Sequence, residues 1–135
     1  MDAEKARYAR NAAAVFSLKY HVVWCPKYRR KVLVEAVEVR LKELIHEAAD
    51  MRGMTVHALE VMPDHVHLFL ETDPRWAPAE FVGKIKANTS RVLRAEFTHL
   101  RSRLPTLWSR SYFCSTVGAV SETTIRRYIE MQKGR

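Results

Sequence analysis

The chain has 135 residues, 47% of them hydrophobic and 28% charged, with a formal net charge of +8. That length suits one domain with a genuine core, and no stretch approaches the roughly 20 apolar residues needed to span a bilayer. Met1-Asp2-Ala3-Glu4-Lys5 offers no basic region followed by an apolar core, and Cys25 and Cys114 show no C-x-x-C pattern. A cytoplasmic protein with reduced thiols is therefore expected, rather than a secreted one stapled by disulfides.

The charge is uneven. Residues 1–70 carry 11 Lys/Arg against 9 Asp/Glu, whereas residues 71–135 carry 12 against 6. Such an excess attracts a polyanion, most commonly nucleic acid, although a basic soluble domain without that partner has the same composition.

In chain order, residues 15–24 alternate, with Phe16, Leu18, Tyr20, Val22 and Trp24 on one face and Ser17, Lys19, His21 and Val23 on the other. This predicts a half-buried strand ending at Cys25-Pro26. A basic loop with an aromatic residue, Lys27-Tyr28-Arg29-Arg30-Lys31, follows. Val34, Val37, Leu41, Leu44, Ile45, Ala48 and Met51 recur at helical spacing, and Gly53 is a fitting stop. Met54 to Met62 predicts a second strand, Pro63-Asp64 a turn, and His65 to Glu71 a third strand, together a hairpin. Pro78 suits a first helical turn, and a helix over about 79–97 turns Phe81, Ile85, Val92, Leu93 and Phe97 inward. After a basic loop with Arg101, Arg103 and Arg110, a fourth strand is expected from Tyr112 to Val117. A last helix runs to Lys133, with Ser121 as its N-cap. The order β-α-β-β-α-β plus a C-terminal helix predicts one α+β domain over residues 1–135. Its architecture is a ferredoxin-like (split β-α-β) antiparallel sheet covered by helices.

Two places carry chemistry. His65 and His67 lie at i and i+2 of the third strand, so both imidazoles point to one face while Val66, Leu68 and Leu70 supply the other. A rigid histidine pair is half of a metal site; it is equally compatible with polar residues on a wet strand face. Tyr128 and Gln132 share a face of the last helix at i and i+4. A phenol can attack phosphorus, and an amide oxygen is a hard ligand suited to Mg²⁺ or Mn²⁺. The plainer alternative packs the Tyr128 ring on the sheet and leaves Gln132 in solvent. Lys27, Tyr28, Arg29 and Arg30 of the first basic loop are candidate DNA contacts, with Tyr28 placed to stack on bases. Lys84, Lys86, Arg91 and Arg94 of the second helix, and Arg110 after it, are candidates for phosphates, set against an ordinary solvated face.

These segments resemble the HUH nuclease superfamily, and more closely the single-tyrosine HUH transposases of small bacterial insertion sequences, the TnpA family. The likeness runs through Tyr20-His21-Val22-Val23-Trp24-Cys25-Pro26-Lys27-Tyr28-Arg29, Met62-Pro63-Asp64-His65-Val66-His67, Leu107-Trp108-Ser109-Arg110-Ser111-Tyr112-Phe113 and Tyr128-Ile129-Glu130-Met131-Gln132. The resemblance implies that His65, His67 and Gln132 ligate Mg²⁺ or Mn²⁺ and that Tyr128, on the added C-terminal helix, is the nucleophile. It implies a 5′-phosphotyrosine intermediate on single-stranded DNA with hairpin ends, in the cytoplasm of a bacterial or archaeal cell at the nucleoid. It also implies a homodimer with composite sites and a hinge at Gly118, where Ala119 replaces the second glycine that many members carry. A domesticated relative processing repetitive palindromes fits the same chemistry, and a non-catalytic single-strand-binding module fits the same sheet.

Overall fold

The computed structural model of the chain describes residues 9–10, 15–16, 18–117 and 122–132. A short antiparallel pair, β1 (Ala9–Arg10) and β2 (Val15–Phe16), precedes β3 (Leu18–Trp24) and a 3₁₀ turn at Lys27–Arg29. Helix α1 (Glu35–Met51), strands β4 (Thr55–Met62) and β5 (His65–Thr72) and helix α2 (Pro78–Glu96) follow. The short helix α3 (His99–Arg103), strand β6 (Phe113–Thr116) and helix α4 (Glu122–Met131) complete the chain. The main sheet has the order β4-β5-β3-β6 with every neighbouring pair antiparallel. That is the split β-α-β order expected from the sequence: the first and third strands lie in the middle, and the two crossover helices share one face.

Alternation sets the two faces. Burial along β5 switches at every residue, with Val66, Leu68, Leu70 and Thr72 buried and His65, His67, Phe69 and Glu71 only half-buried. The buried set joins Val22 and Trp24 of β3, Leu41 and Ile45 of α1, and Phe81, Ile85 and Leu93 of α2 in one core. Each fully buried side chain of this kind contributes about 1.5–3 kcal/mol. Both long helices therefore cover one face, and the histidine pair occupies the other.

Local signals end the helices where expected. Gly53, at φ 68°, closes α1: its N–H donates to the Asp50 carbonyl and that of Met54 to the Ala49 carbonyl. This reciprocal pair uses the left-handed conformation that glycine reaches without a Cβ clash. Pro78 is the first residue of α2, where its missing N–H costs nothing. The β4–β5 turn, Pro63-Asp64, brings Met62 opposite His65 and is tied down by the Leu33 N–H on the Pro63 carbonyl at 3.0 Å.

Three expectations change. The strand expected over 15–24 is divided: Val15 and Phe16 pair with β1, and only Leu18–Trp24 belongs to the main sheet. The basic stretch after α2 contains the short helix α3. The fourth strand is Phe113–Thr116, shorter at both ends than expected. Gly118 and Ser121 lie outside the described residues, and so do their assigned roles as hinge and N-cap.

Candidate active site

The open face of β5 sets His65 and His67 side by side, with Met62 and Glu60 of β4 opposite them on one flank. On the other flank Val23 of β3 pairs with His67, and Phe113 of β6 pairs with Val23. Phe113 then meets Tyr128 of α4, with ring centroids 5.9 Å apart. Helix α4 thus packs on the open face, opposite α1 and α2, and carries Tyr128 toward the histidine strand.

Each histidine has a partner that orients it. Asp64 Oδ1 accepts from the Nδ1–H of His65 at 2.9 Å. A carboxylate only accepts, so the proton sits on Nδ1 and the Nε2 lone pair is left for a ligand role, the usual carboxylate–histidine arrangement of metal sites. Arg29 in turn donates from Nε to Asp64 Oδ2 at 2.8 Å. Burial alone would raise the Asp64 carboxyl, but the His65 hydrogen bond and the Arg29 charge outweigh it and hold it below the usual carboxylate range. His67 Nε2 lies 3.3 Å from Nδ1 of His21. Burial first, and then the neighbouring His21 imidazole, hold His67 below the usual histidine range, which favours the neutral ring that can bind a metal.

The ring row continues away from the pair: His21 stacks on Phe69 at 4.8 Å, and Phe69 meets His57 at 5.1 Å. His57 Nε2 is 2.7 Å from Glu71 Oε1, so it is paired within the sheet. From the sequence His21 was placed only on the second face of its strand. It is the neighbour of a candidate ligand, a contact that becomes legible only with the β3–β5 register.

No cluster of three His, Cys, Asp or Glu able to hold a metal exists among the described residues, so a metal site on the histidine pair would draw its third ligand from another residue type. Gln132 fits that need. It is 2% exposed, its Oε1 is buried without a hydrogen-bond partner among the described residues, and it follows directly on α4. A buried amide oxygen left without a donor is costly unless something else satisfies it, and a hard cation does so. The solvated alternative for Gln132 is thus excluded by its burial. The amide oxygen is the donor that would suit a hard ion such as Mg²⁺ or Mn²⁺, whereas the imidazoles also suit softer ions.

The candidate DNA contacts separate into groups. Tyr28 is 44% exposed with the Lys27 ammonium 5.2 Å above its ring, and Arg30 is exposed. Arg30 also lines a depression of about 430 Å³ with Lys31, Val32, Arg103 and Leu104, a basic groove suited to a phosphate backbone. Lys84, Arg91 and Arg94 belong to α2, on the helical side of the sheet and not beside the histidine pair. Arg91 is hydrogen-bonded to Asn88, and Arg110 is exposed. Two of the candidate DNA contacts, Lys86 and Arg29, are engaged in bonds within the protein. Lys86 donates to the carbonyls of Ser109, Arg110 and Ser111 at 2.8, 3.4 and 3.1 Å. Arg29 is committed to Asp64 and to α4, where its Nη1 donates to the Ile129 carbonyl at 3.2 Å and approaches Glu130 Oε1 at 3.4 Å. Asp64 had no role assigned from sequence; its place directly before the histidine pair was the signal available.

Comparison with known proteins gives the family. Residues 14–132 match the profile of a family described as Transposase IS200 like. The chain is 39% identical over 120 residues to the ISDra2 transposase TnpA of Deinococcus radiodurans, covering 87% of this chain and 86% of that one. It is 28% identical over 119 residues to the transposase for insertion sequence element IS200 of Salmonella typhimurium, covering 87% and 78%. A crystal structure of a candidate transposase from Deinococcus radiodurans superposes with a TM-score of 0.86 at 36% identity, over 94% of this chain and 99% of that one. A REP-associated tyrosine transposase bound to a REP hairpin shares the fold, with a TM-score of 0.54 at 15% identity over 90% and 68%. The chain therefore belongs to the IS200-like family, the single-tyrosine transposases of small insertion sequences.

Proposed function

We propose that this transposase cleaves and rejoins single-stranded DNA at the ends of its insertion sequence through a 5′-phosphotyrosine on Tyr128. The observation that carries the reading is the buried amide oxygen of Gln132, without a hydrogen-bond partner among the described residues, four residues after Tyr128 and just past the helix that packs over the histidine face. His65, His67 and Gln132 would hold a divalent ion, Mg²⁺ or Mn²⁺. When bound, that ion supplies electrostatic stabilisation of charge on the scissile phosphate. Tyr128 Oη attacks phosphorus, the bond to the 3′ oxygen breaks, and that oxygen takes up a proton as a free 3′-OH. The phosphodiester energy is kept in the tyrosyl linkage, so a second 3′-OH can reverse the step without ATP. The chain accordingly has no G-x-x-x-x-G-K-[ST] loop. The DNA partner is a hairpin-bearing single strand, in keeping with the hairpin bound by the REP-associated relative. The working unit is a homodimer in which each chain's α4 packs on its own histidine face.

The test is strand cleavage of a labelled single-stranded element end in Mn²⁺. His65→Ala and His67→Ala are each expected to lower the rate by at least about 100-fold, the scale of removing an electrostatic stabiliser of a transition state. Hairpin affinity measured in parallel stays close to wild type, since charge and shape recognition do not use the ion. Cleavage at the wild-type rate in either variant would remove the metal site from the mechanism.

A further inference from the structure

We propose that Arg29 is a positioning residue that latches the two halves of the site together, one arm of its guanidinium fixing His65 and the other fixing the Gln132 turn. The inference rests on the reading of His65, His67 and Gln132 as one metal site, and it adds the part that holds strand and helix in register. Arg29 Nε donates to Asp64 Oδ2, and the other oxygen of the same carboxylate accepts from His65. Arg29 Nη1 donates to the Ile129 carbonyl, which also accepts the backbone N–H of Gln132 at 3.1 Å. The same nitrogen approaches Glu130 Oε1. A single planar group thus stands two bonds from one candidate ligand and shares an acceptor with the backbone of another.

The setting is not that of a surface ion pair. The side chains of Arg29 and Asp64 are only 18% and 14% exposed. A cation at the C-terminal end of α4 also complements the helix dipole. The backbone is shaped for the task. Tyr28 and Arg29 are consecutive non-glycine residues with φ of 59° and 52°. Side chains persist in that left-handed region only where the surroundings over-determine it, and such residues concentrate at functional sites. Here the turn is held by the Arg29 N–H on the Pro26 carbonyl and the Lys27 N–H on the Leu107 carbonyl, both at 2.8 Å. Arginine suits the place because its fork serves divergent acceptors at once; lysine supplies a point charge without the fork.

The test compares full-length wild type, Arg29→Ala and Arg29→Lys without metal or DNA. Nitrogen NMR of the His65 ring reports its tautomer, and amide exchange reports the end of α4. In the wild type His65 is held as the Nδ1–H tautomer. Arg29→Ala mixes the tautomers and speeds exchange at Ile129–Gln132 by about tenfold, as expected for one lost charge-assisted hydrogen bond. Arg29→Lys keeps the His65 tautomer, because a cation remains beside Asp64, yet shows the faster exchange. Either readout unchanged in Arg29→Ala overturns the latch. Should that variant not fold, wild-type exchange at Ile129–Gln132 in Arg29→Lys overturns it instead. Mn²⁺ affinity of wild type against His65→Ala tests the metal reading separately, and equal affinities would sink that reading while the two structural readouts still decide the latch.

Discussion

Lys86 carries an ammonium into a half-buried position on α2, where three successive carbonyls of the loop before β6 receive its protons. Its sequence surroundings read as a basic helix face, and nothing in the spacing told it from Lys84. Only the path of the loop, pinned to β3's end by the Ser109 N–H on the Cys25 carbonyl at 2.9 Å, brings those acceptors to it. Lys86→Met is therefore expected to lower stability by about 1–3 kcal/mol in denaturant melts, since the loop carbonyls lose a charged donor. The pH dependence has a definite sign. Burial pushes the Lys86 pKa down to about 8 from 10.5, so the unfolded chain binds its proton more tightly. Between those values unfolding takes up a proton, and wild-type stability rises with pH while Lys86→Met does not share the rise. A stability gap that narrows from pH 8 upward would contradict this. Gln132 shows the converse limit of sequence reading. Its i+4 relation to Tyr128 was legible, but its burial depends on how α4 meets the sheet.

At the scale of elements, β5 was the most legible part of the chain. His-Val-His-Leu-Phe-Leu-Glu-Thr alternates strictly, and the structure alternates with it. The helix stop at Gly53 and the start at Pro78 were equally readable, because each rests on a backbone property of one residue. What escaped was short or depended on a partner. The β1–β2 pair has two residues per strand and α3 has five, too few for either period to register. The alternation over 15–24 was real, but it could not say that Phe16 pairs with Ala9 and not with the main sheet. Leu68, between His67 and Phe69, is wholly buried on the helical side of β5. Leu68→Ala is expected to cost roughly 2–5 kcal/mol through lost burial and a residual cavity, measured by denaturant unfolding. A cost below about 1 kcal/mol would mean that β5 is not the packed rib on which the histidines are held.

For the molecule as a whole, the sheet is a partition. Helices α1 and α2 bury one face, and the histidine pair, the Arg29–Asp64 link and α4 gather on the other. A helix covering the core face projects its polar side away from the opposite face, so the basic residues of α2 stand apart from the histidine pair. The depression lined by Arg30, Lys31 and Arg103 is a second basic surface, separate from α2. No helix among the described residues is long and apolar enough to cross a membrane. Family membership was readable because four motif segments fall in the right order along the chain, whereas the hinge assigned to Gly118 lies outside the described residues. The central claim is that Tyr128 becomes covalently joined to DNA. Its most direct test incubates the protein with a single-stranded end of its own element in Mn²⁺ and maps any SDS-resistant adduct by mass spectrometry. The expected result is a 5′-phosphate on the Tyr128 peptide, lost in Tyr128→Phe. An adduct of equal yield in Tyr128→Phe, or one mapped to another tyrosine, would contradict the account.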